Sequence, residues 1–257
     1  RSKRPFRVLD TKGHEGTRRH TKAHTGLIMN EILWFCMLVL DFAALIMLYR
    51  FLGKTGVYIW IPIATILANI QVLKIVQLFG FTATLGNVAY ASLFLATDIL
   101  SENHGRRAAN RAVWVGFLSM LLCIAIMSLA LAFKPDDSDF IQDSLRQIFS
   151  FMPRVLCASL CAYLLSQFYD VASYHFWMRR HPGTRWLWLR NNFSTLSAQL
   201  IDTLVFTSIA FYGVFAWEVF ISIVWTTYAL KALTALLDTP CIYLAKRMYQ
   251  KGLVPSD

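Results

Sequence analysis

The chain has 257 residues, of which 56% are hydrophobic and only 16% are charged, and its formal net charge is +10. A soluble domain usually carries about 25% charged residues, so this composition excludes an ordinary soluble enzyme or binding module. The apolar residues come in runs about twenty residues long, the length that a helix needs to cross a bilayer. The sequence therefore predicts an all-α polytopic membrane protein, a bundle of about seven transmembrane helices.

The first 28 residues differ from the rest of the chain. They hold eight Lys or Arg and two Asp or Glu residues and have no apolar period. We expect residues 1–28 to be a non-native or disordered basic leader, and the alternative is a native tail that binds anionic lipid headgroups. The leader carries +6 of the charge, so without it the net charge is +4 and the case for nucleic-acid binding disappears. We expect residues 29–257 to form a single transmembrane domain.

Apolar windows with few charges predict the positions of seven membrane spans. They lie near residues 31–51, 57–79, 83–100, 110–133, 152–177, 192–214 and 218–245. Lys and Arg residues gather after spans one, three, five and seven, which places all four basic zones on one side of the membrane. By the positive-inside rule that side is cytoplasmic. We therefore expect a multi-pass protein with its C-terminus in the cytoplasm and the start of the domain outside.

Polar residues within four of these spans fall on one helical face each. The stripes comprise Gln71, Lys74 and Gln77 in span two, with Asn69 further round, Ser159, Tyr163, Ser166, Gln167 and Asp170 in span five, Thr195, Gln199 and Asp202 in span six, and Thr227, Lys231, Thr234 and Asp238 in span seven. Ser and Thr stripes often only join helices. A charge at the bilayer centre costs at least ~2.5–3.5 kcal/mol, however, and normally faces a cavity or a partner. Asp170, Asp202 and Lys231 therefore predict a shared polar cavity.

Several membrane chemistries lack their motifs in this chain. The sequence contains no GxGD or HExxH protease motif, no Walker A sequence and no internal repeat typical of a channel. Its acidic cluster, Asp136–Asp143, lies in a predicted loop, and its five cysteines form no CxxC pair. We expect no catalytic residue, no metal and no cofactor. The class of membrane protein that remains is a transporter of a small solute.

Five stretches carry a resemblance to one family. They are TILANIQVLK (65–74), LATDILSENHGRRAANRAVWVGF (95–117), PRVLCASLCAYLLSQFYDV (153–171), LIDTLVFTSIAFYG (200–213) and KALTALLDTPCIYLAKR (231–247). Together they resemble the queuosine precursor transporter family, also described as vitamin-uptake-like. His104 departs from the family, which has Tyr or Phe there, and span one resembles an addition to a six-helix core.

The resemblance implies uptake across the plasma membrane of 7-deazaguanine bases, such as the 7-cyano or 7-aminomethyl base, or queuine. We expect an alternating-access cavity near the bilayer midplane. There the carboxylate of Asp202 or Asp170 would accept the ring N–H and the exocyclic amine of the base. The other expected contacts are hydrogen bonds from Gln167, Gln199 and Asn69, charge balance from Lys231 and stacking on Tyr163 or Phe206.

The family stretch at residues 95–117 also carries several charges. We interpret Asp98, with Glu102 and Arg111, as a charge-pair latch at the cytoplasmic gate or as a site for a coupling proton. Arg154, near the outer end of span five, is a candidate residue for substrate access or gating. Asp238 is a further candidate for gating or coupling.

Other assignments fit the same composition. A compact membrane unit without an ATPase motif also describes the substrate-binding subunit of an energy-coupling-factor importer, which needs a separate ATPase module. A sensory or structural membrane protein is a third option. The partners expected from the sequence are a nucleobase-like small molecule and the lipid bilayer. The oligomeric state stays open, with a homodimer among the options.

Overall fold

The computed structural model describes the backbone of residues 11–149, 153–213 and 216–255. Side chains are described from residue 29 onward within these ranges, except at residues 75, 81–84, 153–156, 219 and 222. The helices are α1 (Thr11–Gln71), α2 (Gly86–His104), α3 (Arg106–Leu131), α4 (Gln142–Phe149), α5 (Pro153–Arg180), α6 (Leu187–Phe211), α7 (Trp217–Leu237) and α8 (Thr239–Gln250). Two strands, β1 (Ile75–Leu78) and β2 (Phe81–Thr84), and a 3₁₀ turn at Thr184–Trp186 complete the described part.

The first helical stretch reverses direction at Gly53. This residue has φ 58° and ψ −142°, a conformation that glycine adopts without the steric cost paid by other residues. Three residues later, a Cβ atom at Gly56 would overlap the carbonyl oxygen of Leu48, so the two arms touch just beside the turn. Further along, the Asn30 side chain donates to the carbonyl oxygen of Gln77, 47 residues away. We call the two antiparallel arms α1a (11–52) and α1b (54–71), and they correspond to predicted spans one and two.

A short antiparallel hairpin follows α1b. Strands β1 and β2 pair Ile75 with Thr84 and Leu78 with Phe81, with Gly80 in the connecting turn at φ 80°. The prediction that span two continues as a helix to residue 79 is therefore wrong, because the helix ends at Gln71. A run such as IVQLFGFT is apolar and rich in β-branched and aromatic residues, and periodicity alone does not separate a short strand from buried helix.

The remaining long helices confirm the predicted all-α membrane architecture. Three stretches, Met29–Gln71, Arg106–Leu131 and Thr184–Phe211, are long and apolar enough to cross a bilayer. Helices α2, α5 and α7 have 19, 28 and 21 residues, which also suits a hydrocarbon core about 30 Å thick. Counting both arms of α1, the described chain has seven long helical segments. The turn from α2 to α3 uses Gly105 at φ 82°, a positive value that glycine adopts without the steric cost paid by other residues.

Predicted span seven is two helices, not one. Helix α7 ends at Leu237, and α8 starts at Thr239 with Pro240 in its first turn. Proline has no backbone N–H, so a helix starts at this position more readily than it continues through it. The break places Asp238, which is fully buried, at the junction of the two helices.

The bundle carries apolar side chains outside and many polar side chains inside. Leu40 and Leu129 are each 67% exposed, whereas Asp98 and Asp170 are 0% exposed. A large continuous apolar surface is what a lipid bilayer covers, and buried ionisable groups in such a bundle mark functional sites.

One end of the bundle gathers the basic segments. Tyr49 and His104 are within hydrogen-bond distance of each other (3.3 Å), the rings of His104 and Tyr249 lie 5.3 Å apart, and Arg50 donates to the carbonyl oxygen of Leu253. The Gly53 turn and the ends of α2 and α8 therefore lie together. We call this end, with the α5–α6 connection that contacts it through Arg190, the basic end. The hairpin lies at the opposite end, where the Phe79 N–H donates to Glu31.

The basic leader is only partly covered by the structure. The backbone of α1 begins at Thr11, inside the predicted leader. The side chains of residues 1–28 and the backbone of residues 1–10 lie outside the described part. The assignment of the leader therefore stays a prediction.

Candidate functional site

Asp202 lies at the centre of a buried polar group that joins four helices. Its Oδ1 atom accepts hydrogen bonds from the hydroxyl groups of Tyr90 on α2 (2.6 Å) and Ser166 on α5 (3.3 Å). Its Oδ2 atom accepts from the ammonium group of Lys231 on α7, with which it forms an ion pair. The Lys231 nitrogen also lies 4.9 Å from the centre of the Tyr90 ring, a cation–π distance. The structure thus brings together Asp202 and Lys231, two of the charges that the sequence places in the cavity.

A small cavity adjoins this group. It is lined by Thr65, Asn69, Tyr90, Phe117, Met120, Ser159, Leu160 and Tyr163, and it has room for little more than a water molecule. The Asn69 Oδ1 atom accepts from the Ser159 hydroxyl at 2.8 Å. The rings of Tyr90 and Tyr163 meet edge to face with 6.5 Å between their centres. Candidate residues Asn69 and Tyr163 therefore lie next to the Asp202 group through the shared contact with Tyr90.

Two buried glutamines offer hydrogen-bonding atoms without partners among the described residues. The Oε1 atom of Gln167 accepts from the Thr97 hydroxyl at 3.2 Å, but its Nε2 atom has no acceptor. Neither amide atom of Gln199 has a partner, although the residue is only 1% exposed. Since buried polar groups are nearly always paired, such atoms are candidates to bind water or a ligand.

Three further carboxyl groups form a second buried cluster, which we call the carboxyl cluster. It comprises Asp98 on α2, Asp170 on α5 and Asp238 at the α7–α8 junction, all 0% exposed. The carboxyl group of Asp98 interacts with those of Asp170 and Asp238. The donors that contact the carboxyl cluster are neutral. The Thr195 hydroxyl donates to Asp98 at 3.1 Å, and the Asn191 amide donates to Asp238 at 2.7 Å. Asp170 therefore lies in this cluster and not beside Asp202.

Glu102 lies at the basic end in a network of charges. Arg190 donates to both of its carboxylate oxygens, at 2.9 and 2.6 Å, and Lys246 forms an ion pair with it at 3.0 Å. The Tyr174 hydroxyl donates at 2.9 Å, and Arg190 also donates to the carbonyl oxygen of Gly183 in the α5–α6 connection. A bidentate Arg–carboxylate pair is among the strongest polar contacts in proteins. This network ties α2, α5, α6 and α8 together.

Asp98, Glu102 and Arg111, the residues of the expected latch, do not pair with one another in the structure. Arg111 is exposed on α3, and Glu102 pairs with Arg190 and Lys246. Asp98 belongs to the carboxyl cluster. Contacts between helices determine which charges pair, and closeness along the chain does not reveal these contacts.

Two candidates remain apart from these groups. The ring of Phe206 packs edge to face against Phe211, with 5.9 Å between the ring centres, and Phe206 is not among the residues that line the small cavity. The side chain of Arg154 lies outside the described residues. In the described part of the chain, no three His, Cys, Asp or Glu side chains are arranged to hold a metal ion.

Comparison with known proteins places the chain in a family. Residues 84–245 match the family model described as "Putative vitamin uptake transporter". A protein of Bacillus subtilis (strain 168) named "Probable queuosine precursor transporter" is 42% identical over 230 residues, which cover 90% of this chain and 98% of that protein. The chain belongs to the queuosine precursor transporter family. The resemblance noted in the sequence is thereby confirmed.

A second relative supports the same membership in this transporter family. The "Queuosine precursor transporter" of Escherichia coli (strain K12) is 31% identical over 165 residues, covering 63% of this chain and 72% of that protein. No solved structure matches the chain significantly. The family match spans the Asp202 group, the carboxyl cluster and the Glu102 network except Lys246, and it leaves α1 and Asn69 outside.

Three residues that the structure places at these sites, Tyr90, Arg190 and Lys246, were not expected there from the sequence. Tyr90 could have been found from the sequence, since it is a polar aromatic residue two turns before Asp98 on the same helix. In the sequence, Arg190 and Lys246 look like the basic residues that mark the cytoplasmic ends of membrane spans, because both follow apolar spans in basic segments. Their pairing with Glu102 depends on the packing of α6 and α8 against α2, which spacing along the chain does not reveal.

Proposed function

We propose that this protein imports 7-deazaguanine bases, such as the 7-cyano or 7-aminomethyl base or queuine, by alternating access through its polar interior. The names of the two relatives support a queuosine precursor as substrate. The observation that carries the proposal is the Asp202 carboxylate. It is buried between four helices, beside a cavity with aromatic walls.

The chemistry of a deazaguanine matches the groups around Asp202. Its ring N–H and exocyclic amine point the same way, so one carboxylate accepts both. On binding, these donors replace the hydroxyl groups of Tyr90 and Ser166 at Asp202, and Lys231 keeps the carboxylate neutralised. The carbonyl oxygen of the base accepts from the unpaired amide of Gln199 or Gln167. A site built on such pairing rejects analogues that lack these donors, because its own buried groups would stay unpaired.

The flat face of the base requires an aromatic surface. Tyr90, Phe117 and Tyr163 line the cavity, which makes them the candidates for stacking. The cavity has room for little more than a water molecule, so the helices must separate before a bicyclic base enters. The Glu102 network fastens the basic end in this conformation. In the proposed cycle it is the gate that opens when the base is released.

The distribution of basic residues supports an orientation. Arg106, Arg107, Arg179, Arg180 and Arg247 are all exposed at or near the basic end. We assign this end to the cytoplasm by the positive-inside rule. The C-terminus is then cytoplasmic, the start of α1a is outside, and the protein is a multi-pass component of the plasma membrane.

Uptake by the purified protein tests the proposal. Wild-type protein in liposomes is expected to take up labelled 7-cyano-7-deazaguanine saturably, without an ATPase module. Asp202→Asn removes one acceptor and the charge, and we expect uptake to fall by about 10²-fold, the equivalent of ~3 kcal/mol. Asp137→Asn, at an exposed loop position, is the control and should match wild type. Equal uptake by wild type and Asp202→Asn would show that Asp202 does not bind the base.

A binding screen identifies the substrate within this class. Guanine, the cyano and aminomethyl bases and queuine share the edge that Asp202 is proposed to bind, and they differ at the position remote from it. Differences in their affinities for the purified protein therefore show how the cavity wall contacts the group at that remote position. If the protein binds none of the four, the proposed function is wrong.

A further inference from the structure

The carboxyl cluster has more acceptors than donors. Oδ1 of Asp98, both carboxyl oxygens of Asp170 and Oδ2 of Asp238 have no hydrogen-bond donor among the described residues. The three side chains are fully buried, so bulk water does not supply the missing donors. An isolated carboxylate in an apolar interior is unfavourable by many kcal/mol unless it is paired or neutralised.

The buried cations of the neighbouring helices are engaged elsewhere. Lys231 pairs with Asp202, and Arg190 pairs with Glu102, as does the partly buried Lys246. The other titratable groups facing the cluster are Tyr174, which interacts with Asp98, and Cys241, which interacts with Asp238. On α3, Arg111 is exposed, and Asp41 of α1a shows no charge interaction with the cluster. No described cation therefore neutralises these three acids.

We propose that Asp98 and Asp170 together hold an exchangeable proton and that this proton is co-transported with the substrate. Two carboxyl groups that face each other in a low-dielectric interior do not both ionise, and a proton held between them supplies the missing donor. Asp238, hydrogen-bonded to Asn191, interacts with the same pair and extends the cluster toward the basic end. A proton bound from outside leaves to the cytoplasm when the gate at Glu102 opens.

The unpaired glutamines link this pair to the Asp202 group. The Thr97 hydroxyl bonds to Gln167 and also faces Asp170, so the free Nε2 atom of Gln167 belongs to the surroundings of the pair. On α6, Gln199 lies one turn beyond Thr195, which bonds to Asp98, and it precedes Asp202 by three residues. A substrate that engages either glutamine thus changes the hydrogen bonds next to the proton site. This coupling rests on the proposed function.

Infrared spectroscopy of the full-length protein tests the proton site without any substrate. A difference spectrum between neutral and alkaline samples, a range in which exposed carboxyl groups stay ionised, should show the C=O band of a protonated carboxylic acid in wild type. Asp98→Asn and Asp170→Asn are each expected to remove this pH-dependent band. Asp41→Asn is the matched control, since it changes another buried aspartate in the same way and should keep the band. A wild-type protein without the band, or both cluster variants with it, overturns the proposal.

Transport in liposomes tests the coupling. For one proton per base, each unit of pH gradient supports about tenfold accumulation of 7-cyano-7-deazaguanine, since one unit is worth ~1.4 kcal/mol. We expect this accumulation in wild type and in Asp41→Asn. Asp98→Asn should lose it while still exchanging labelled for unlabelled base. Exchange in wild type without any response to the pH gradient, or accumulation driven by a sodium gradient alone, overturns the coupling. Absence of both exchange and accumulation in wild type refutes the proposed function, and the infrared band then decides on the proton site alone.

Discussion

Lys231 on α7 and Asp202 on α6 form an ion pair inside the helical bundle, where their side chains are only 10% and 5% exposed. Removing two charges from water costs several kcal/mol per ion, which their attraction repays only with good geometry and further hydrogen bonds. Tyr90 and Ser166 supply those further bonds to Asp202. Such a pair is weak evidence for stability, and this agrees with the proposed role of Asp202 in binding.

The first prediction separates stability from binding at this pair. Lys231→Met leaves Asp202 buried without a cation, and we expect it to cost about 3–5 kcal/mol of unfolding free energy. Adding Asp202→Asn removes the orphaned charge and should restore most of that loss. The double variant should still fail to bind the base, because the carboxylate is gone. Thermal unfolding in detergent and calorimetric binding measure the two effects, and recovered binding in the double variant would contradict the role of Asp202.

The second prediction concerns the Tyr90 hydroxyl, which donates to Asp202 at 2.6 Å. Hydrogen bonds to charged groups contribute about 1.5–3 kcal/mol, so Tyr90→Phe should lower stability by roughly that amount. The proposed base replaces this hydroxyl at Asp202, and the ring that lines the cavity is kept. Affinity for the base should therefore be unchanged or higher. Calorimetry checks this, and a tenfold loss of affinity would show that the hydroxyl contacts the base.

The third prediction concerns the wall of the cavity. A Cβ atom at Gly116 would overlap the Tyr163 hydroxyl and come within 3.0 Å of Ile61. Overpacking of this kind costs typically about 1–3 kcal/mol, so Gly116→Ala should lower the thermal unfolding temperature. Because the clash is mainly with the hydroxyl, adding Tyr163→Phe should recover most of the loss. Tyr163→Phe alone is the reference, since it removes the hydroxyl, with its 3.3 Å hydrogen bond to the Val113 carbonyl, and leaves Gly116 in place.

The sequence was sufficient for the architecture and for the identity of several buried polar groups. Long apolar runs leave few alternatives to membrane helices, and a charge such as Asp202 or Lys231 is conspicuous within them. Their pairing was not predictable, because each helix shows only its own polar face. The contacts between α6 and α7 decide which residues meet. For the same reason Asp170, placed by its stripe in the substrate cavity, lies with Asp98 instead.

Other elements were missed because the local signal was ambiguous. The apolar run at Ile75–Leu78 reads equally well as the end of a helix, and only its pairing with the next strand identifies it. Pro240 did mark a helix start, but the apolar residues on both sides concealed it. Short-range sequence patterns identify helices and strands, whereas the buried sites depend on contacts between helices that are distant in the sequence.

The fourth prediction concerns pH and the loop opposite the basic end. The Ser138 hydroxyl and backbone N–H donate to Asp136, at 2.6 and 3.0 Å, and hold the pKa of this carboxyl below its ordinary value of 3.8. A lowered pKa stabilises the folded turn above pH 3.8, and the stabilisation is lost as the pH falls through the lowered value. Ser138→Ala should raise the pKa of Asp136 toward 3.8, which carboxyl NMR shifts measure. An unchanged pKa would contradict the assignment of these hydrogen bonds.

The fifth prediction concerns the Glu102 network, which joins four helices at the basic end. Glu102→Gln leaves Arg190 and Lys246 without their carboxylate, and removing one partner of a buried pair costs about 3–5 kcal/mol. Because α8 is held to α2 through Lys246, its backbone amides should exchange hydrogen faster in this variant. Hydrogen exchange over Thr239–Gln250 measures this, with the exposed Asp137→Asn as the control that should leave the rates unchanged. If the network is the gate, Glu102→Gln also weakens coupling, and a given pH gradient then supports less accumulation of the base than in wild type. Unchanged exchange rates in α8 would show that the network does not hold this end closed.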